Sequence, residues 1–234
     1  FRGAIHGYLG GQAGAEAMAD ALLGRVNPSG HLAESWPYAL EDTPCHRYYP
    51  AQGLYAQYRE GLFVGYRYYC GANVSVRYPF GHGMSYTKFS YKDLEADSKG
   101  VTFTLTNTGT RDGADVAQVY VTCRTGKVYR PRKELKGFQK VFLKAGESRR
   151  VHIDLDDKAF RYYNILTGKF EKETANYDVC VCSNVNRVRL SATIRVMGTD
   201  APVPEQDLPN YRTGHIESVT YEEYARLLDR ELPQ

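Results

Sequence analysis

No stretch of this sequence approaches the roughly 18 consecutive apolar residues that a membrane-crossing helix requires, so an integral membrane protein is not expected. Nor does any basic run look able to track a phosphate backbone. The densest candidate, Arg130-Pro131-Arg132-Lys133, is followed at once by Glu134, and the net charge is only +3; nucleic acid is therefore not an expected partner. Cysteine is sparse. Cys45, Cys70, Cys123, Cys180 and Cys182 are odd in number and lack framework spacing, and Cys180 and Cys182, on one face of an expected strand, are poorly placed to join each other. A reduced, cytoplasmic setting is the expectation. Cys45-His46 has no matching second pair, so no zinc or other metal site is read, and no cofactor. Repeats and low-complexity tracts are absent. The sequence opens Phe1-Arg2-Gly3, with neither methionine nor signal peptide, which points to a piece of something longer.

Tyrosine is what the sequence has in excess: 20 residues of 234. Its ring suits sheets and interfaces where one end is buried and the other wet, sugar-binding clefts included. Hydrophobic residues at 42% and charged residues at 24% are ordinary for a globular chain. Over 12–23, Ala13, Ala17, Met18, Ala21 and Leu22 share a helical face, with Gly24 placed as a cap. The small residues predict a helix pressed against a sheet. Asn27-Pro28-Ser29-Gly30 then forms a turn, and 31–37 an extended segment ending in Trp36-Pro37.

Residues 38–86 are irregular yet too aromatic for a free linker, so an ordered connection at a domain boundary is expected. From Phe89 the pattern changes to period two. Val101/Phe103/Leu105, Val119/Val121, Val151/Ile153/Leu155, Tyr177/Val179/Val181 and the alternating run from Val188 to Val196 predict about seven antiparallel strands in a sandwich. After Pro202 and Pro204, a helical stripe of Tyr221, Tyr224, Leu227 and Leu228 carries Glu222 and Arg226 at i,i+4 spacing. The expected divisions are 1–37, 38–86, 87–197 and 198–234, the last a linker and short helix toward a further domain.

Four segments in order resemble glycoside hydrolase family 3, which holds many β-glucosidases. The helix with its Asn27-Pro28-Ser29-Gly30 turn and Trp36-Pro37 is similar to the close of that family's α/β-sandwich domain. Glu60-Gly61-Leu62-Phe63-Val64-Gly65-Tyr66-Arg67-Tyr68-Tyr69 resembles its inter-domain segment. Tyr78-Pro79-Phe80-Gly81-His82-Gly83-Met84-Ser85-Tyr86 resembles the entry to its third domain, and Arg130 to Phe138 through Ala145-Gly146-Glu147 that domain itself. His31 and Ala33 depart from the usual residues. Tyr221 to Leu228 and Leu232-Pro233 resemble the lead into a (β/α)8 barrel in members with rearranged domain order.

The resemblance implies a mainly β fold, with a fibronectin type III-like (immunoglobulin-like) antiparallel β-sandwich preceded by a partial α/β segment. It implies membership of a retaining β-glycosidase acting on terminal β-linked sugars. Such chemistry needs two carboxyl groups about 5 Å apart. The family's nucleophile lies on the barrel and its acid/base upstream of the Asn27 turn, so neither carries over. This chain is then scaffold and cleft rim, inactive alone, with the barrel and the rest of the α/β portion as partners and oligomerisation left open. The competing reading is a non-catalytic fibronectin-like binding or structural module.

Candidate substrate contacts are Glu60, Tyr66, Arg67 and His82. Glu60 is weighed against an interface carboxylate paired with Arg59, Arg67 or a backbone amide, and His82 against a turn histidine packed at the boundary. Glu16 and Asp20 read as a solvated face. Gly81-His82-Gly83-Met84-Ser85 is no G-x-S-x-G elbow, and Gly10-Gly11-Gln12-Ala13-Gly14 lacks the residues of a phosphate loop. An incomplete α/β layer exposes apolar surface, so residues 1–37 are expected to associate with a partner chain or to be partly disordered.

Overall fold

The computed structural model describes residues 3–51, 53–204 and 208–228. Helix α1 (Gly14–Leu22) is built from alanine-rich sequence of high helix propensity. Gly24 stops it: at φ +71° it adopts the left-handed conformation that costs glycine nothing, and its N–H donates to the Ala21 carbonyl over 3.1 Å. The helix buries none of its residues, and Leu22 is 70% exposed. The expected packing of this helix on a sheet is therefore not made among the described residues. The nearby strands are too short to supply a face, since β1 (Trp36–Pro37) and β2 (Val76–Tyr78) pair over only two or three residues.

Asn27 ties this N-terminal part to two later stretches of chain. Its amide donates to the Asp112 carbonyl, while its side-chain oxygen accepts from Ser85 Oγ and the Tyr86 N–H. Residues Leu32 and Gly81–His82 exchange backbone hydrogen bonds of 2.8 Å. Gly81, at φ +77°, lies so close under the Gln118 amide that a Cβ there would collide with it. Between these points helix α2 (Tyr66–Gly71) buries Tyr66, Tyr68 and Tyr69.

The sandwich comprises β3 (Phe89–Ala96), β4 (Gly100–Asn107), β5 (Gly113–Cys123), β6 (Glu134–Leu143), β7 (Ser148–Asp154), β10 (Ala175–Asn184) and β11 (Arg187–Val196); a separate hairpin, β8 (Arg161–Asn164) with β9 (Lys169–Lys172), projects between them. One sheet has the order β11-β10-β5-β6 and the other β3-β4-β7, all pairs antiparallel. The number of strands is the one expected, and the five alternating runs fall on β4, β5, β7, β10 and β11. Val101, Phe103 and Leu105 point inward while Thr102, Thr104 and Thr106 are half-buried, as a two-residue period demands. Opposite them stand Val119, Tyr177, Val179 and Val181, all fully buried. Each such side chain contributes about 2 kcal/mol in transfer from water. The Val188–Val196 alternation, the cleanest in the sequence, belongs to an edge strand in which only Val196 is fully buried.

Polar residues fix the turns. Asn107 ends β4 by donating to the carbonyls of Arg111 and Leu143 and accepting from Thr87 Oγ1 and the Gly109 N–H. The long 124–133 connection is fastened by Glu173, which accepts from the Lys127 and Val128 N–H groups and from Arg130 at 2.9 Å. Beyond the sandwich, helices α3 (Pro209–Thr213) and α4 (Tyr221–Leu228) fold back on the aromatic segment. Phe63, Tyr68, Tyr69, Tyr211, Ile216, Val219 and Tyr224 form one apolar cluster. The expected Glu222–Arg226 pair is not formed: among the described residues neither side chain has an ionic partner, and both are exposed to water, where such a pair gains little. Phe1, Arg2, Leu232 and Pro233, singled out in the sequence, lie outside the described residues.

Candidate functional site

The aromatic segment is anchored from beneath and displayed from above. Arg59, 9% exposed, lies between two rings, 4.3 Å from the Tyr48 centroid and 5.0 Å from that of Tyr224. It also donates to the Val219 carbonyl at 2.8 Å, to Tyr48 Oη and to Gln57 Oε1. Four residues on, Phe63 is 1% exposed and meets Tyr211 edge-on, whose hydroxyl accepts the Leu62 N–H. These two plugs hold a loop that turns Tyr49, Leu54, Tyr55, Tyr58, Leu62 and Val64 to solvent. Exposed apolar side chains in this number are characteristic of surfaces that other groups cover.

Glu60 sits between the plugs, half-buried. Its carboxylate has no hydrogen-bond or ionic partner among the described residues, although its carbonyl accepts the Phe63 N–H at 2.7 Å. The anticipated pairing with Arg59 or Arg67 is absent, because Arg59 is committed to the two tyrosines and Arg67 lies over the Tyr66 ring at 5.6 Å. Tyr66 faces inward, packed on Phe80 and Tyr120, and its hydroxyl accepts the Leu135 N–H at 2.9 Å. Burial raises its pKa above the usual phenol value, and the Leu135 hydrogen bond only partly offsets this. In Tyr68, burial and then the Glu217 carboxylate push the phenol up to about 12.

His82 stacks on Tyr78 with centroids 5.3 Å apart. Burial, then the neighbouring His31, holds its pKa below the usual imidazole range, so it is neutral at pH 7. The four candidates do not converge. Tyr66 and Arg67 touch each other, while neither Glu60 nor His82 makes a polar or ring contact with another member of the set among the described residues.

Two arrangements were not foreseen from sequence. His31 Nε2 lies 3.3 Å from Asp115 Oδ1, and Tyr91 donates to Asp115 Oδ2 at 2.7 Å; this polar knot joins the N-terminal part to the sandwich. The other is a cleft of about 520 Å³ between α2 and the sandwich, bordered by Arg132 and Lys133. Charge in an otherwise apolar alternation was the available signal for Asp115. Nothing local foretold the cleft, whose walls come from four separate stretches. Among the described residues no group of three or more His, Cys, Asp or Glu side chains could hold a metal ion, all five cysteines are free, and no helix is long and apolar enough to cross a membrane.

Residues 1–86 match the family model of the glycosyl hydrolase family 3 C-terminal domain, and residues 115–185 that of the fibronectin type III-like domain. Thermostable beta-glucosidase B of Acetivibrio thermocellus is 41% identical over 203 residues, covering 83% of this chain and 27% of its own length. An exo-alpha-(1->6)-L-arabinopyranosidase of Bifidobacterium longum is 42% identical over 183 residues, covering 76% and 24%. Among solved structures, a Bifidobacterium adolescentis GH3 beta-glucosidase superposes with a TM-score of 0.78 at 37% identity, over 92% of this chain and 31% of that one. DesR, a beta-glucosidase from Streptomyces venezuelae crystallised with D-glucose, gives 0.76 at 36%, over 79% and 25%. The chain thus spans about a quarter of the length of the curated relatives it matches.

Proposed function

This chain is a partial member of glycosyl hydrolase family 3, its C-terminal domain followed by a fibronectin type III-like domain, and on that premise we propose that it serves as scaffold and cleft rim of a retaining β-glycosidase acting on terminal β-linked sugars. In this reading both catalytic carboxyl groups are supplied by the rest of the protein. The observation that carries it is the displayed loop, in which Tyr49, Tyr55 and Tyr58 are exposed and the half-buried Glu60 carboxylate has no partner among the described residues, on a base fixed by Arg59 and Phe63. Exposed aromatic faces and an unspent carboxylate on one loop suit sugar rings and hydroxyls, and a loop pinned at its base loses less entropy on contact.

The test is hydrolysis of p-nitrophenyl β-glucoside by this chain alone and by the chain mixed with a barrel-containing remainder. Activity is expected in the mixture only. Turnover by the chain alone, abolished by Glu60→Gln, would overturn the placement of the carboxylates elsewhere.

The alternative, a non-catalytic binding module, is favoured by one feature, the β8–β9 hairpin with Tyr163, Ile165, Leu166 and Phe170 exposed. Retention of the chain on insoluble glucan, lost in Tyr163→Ala with Phe170→Ala, is the outcome that reading requires.

A further inference from the structure

The cleft between α2 and the sandwich carries a charge arrangement that the scaffold role leaves unexplained. Its volume is about 520 Å³, and its walls include Cys70 and Asn73 at the end of α2, Thr122 at the end of β5, Arg132, Lys133 and the turn residue Asn186. Two cations stand on this concave surface and no carboxylate lines it. Both are held by neutral groups. Arg132 Nη1 donates to Asn73 Oδ1 at 2.9 Å, and Lys133 Nζ donates to the Val185 carbonyl at 2.6 Å. Among the described residues neither has an ionic partner.

Their placement is enforced. Thr122 Oγ1 donates to the Arg132 carbonyl at 2.6 Å, and the preceding loop is locked by the buried Arg130–Glu173 pair. Arg132 lies at a bend before β6, outside any strand alternation, and its side chain and that of Lys133 border one cleft. Asn73, at φ +55°, closes the helix and brings its amide to the guanidinium. Burial raises the Cys70 thiol pKa, and the Lys133 and Arg132 charges that line the same cleft oppose the rise.

We propose that this cleft binds a small oxyanion, phosphate or carboxylate, free or carried on a sugar. A guanidinium supplies a planar fork of donors and an ammonium three rotatable ones; one donor of each is committed to the neutral partners above. An oxyanion seated between them accepts charge-assisted hydrogen bonds from both and relieves their mutual repulsion. The volume exceeds what inorganic phosphate fills, leaving room for a sugar ring against Tyr69 and Val74.

Isothermal titration of the chain in low-salt buffer with inorganic phosphate, glucose 6-phosphate, glucuronate and glucose tests this. Saturable binding is expected for at least one anion and not for glucose, and its affinity falls as salt rises. Arg132→Gln and Lys133→Gln each weaken it by roughly tenfold or more, as loss of a charge-assisted contact requires. Because Lys133 also ties down Val185, the exposed Arg132 provides the variant least able to disturb folding, checked by an unchanged circular dichroism spectrum. Phosphate against the two sugar acids distinguishes a free ion from a sugar-borne one. The proposal is overturned by failure of all three anions to bind, by glucose binding as tightly as glucose 6-phosphate, or by undiminished binding in Arg132→Gln.

Discussion

In the sandwich, the inward-facing apolar residues of the two sheets meet each other, and the backbone groups pair with adjacent strands. Val101, Phe103 and Leu105 need nothing beyond residues 89–196 to be buried. The 3–86 part is organised differently. Its helix α1 buries nothing, and the rest of it depends on distant residues: Arg59 on Tyr224, Leu62 on Tyr211, Tyr66 on Leu135, His31 on Asp115. One region makes its own core, and the other is fastened to cores made elsewhere. Order in the second region is therefore conditional on a few side chains, which makes the contrast testable residue by residue.

The largest effect should come from the sandwich core. Phe103→Ala removes a fully buried ring and is expected to cost about 4 kcal/mol, seen in urea unfolding as one cooperative loss that takes the aromatic segment with it. Next is Glu173→Ala, which leaves the buried Arg130 uncompensated and frees two amides at an expected cost of about 3 kcal/mol. A midpoint equal to that of the parent chain would mean that the 124–133 connection is held by packing alone.

The knot between the regions should respond to acid. Burial, the largest influence on Asp115, raises its pKa, but hydrogen bonds from His31 and Tyr91, the His31 charge and the Val116 N–H outweigh it, and the net shift is downward. A depressed carboxyl stabilises the fold above its unfolded pKa of about 3.9, and that contribution is lost as pH falls through the lower folded value. Asp115→Asn should cost about 2 kcal/mol at neutral pH and flatten the decline in melting temperature below pH 4; an unchanged acid decline would remove Asp115 from the account.

Arg59→Met should cost about 1 kcal/mol, the scale of a partly desolvated cation–π contact. Its signature is local: faster proteolysis around residues 48–64 and 208–228 with sandwich fragments surviving. Uniform digestion would show that the two regions do not separate. At the bottom of the scale, Leu22→Ser on α1 should change stability by no more than about 0.5 kcal/mol. A larger loss in the isolated chain would mean that something covers this helix in solution.

The same contrast explains what could be read in advance. Alternation writes burial directly into sequence, so β4, β7 and β10 were legible from Val101, Val151 and Tyr177 and their next-but-one neighbours. β6 was not, because Phe138 and Phe142 face solvent while Val141 and Leu143 face the core, and apolar residues on both faces cancel the period. For α4 the helix was visible but its partner was not; the hydrogen bond from Arg59 to Val219 joins residues 160 positions apart. Glu60 stood out by context, and its lack of a partner is a property of three-dimensional neighbours that no spacing encodes. The cleft at Arg132 and Lys133 was hidden for the same reason: its cations read as part of a mixed charge run.

Among the described residues the sheet orders leave four edges, β11 and β6 in one sheet and β3 and β7 in the other, each without a strand on its outer side. A bare row of amides and carbonyls is a template on which another extended chain can grow, and through it the start of an aggregate. β11 carries Arg187, Arg189 and Arg195, and β7 carries Arg149 and Arg150. A second copy pairing along β11 would set its arginines against one another, whereas Arg149 and Arg150 of β7 already face Glu147 and Glu95, so unpaired positive charge guards the β11 edge of a protein rich in exposed aromatic surface.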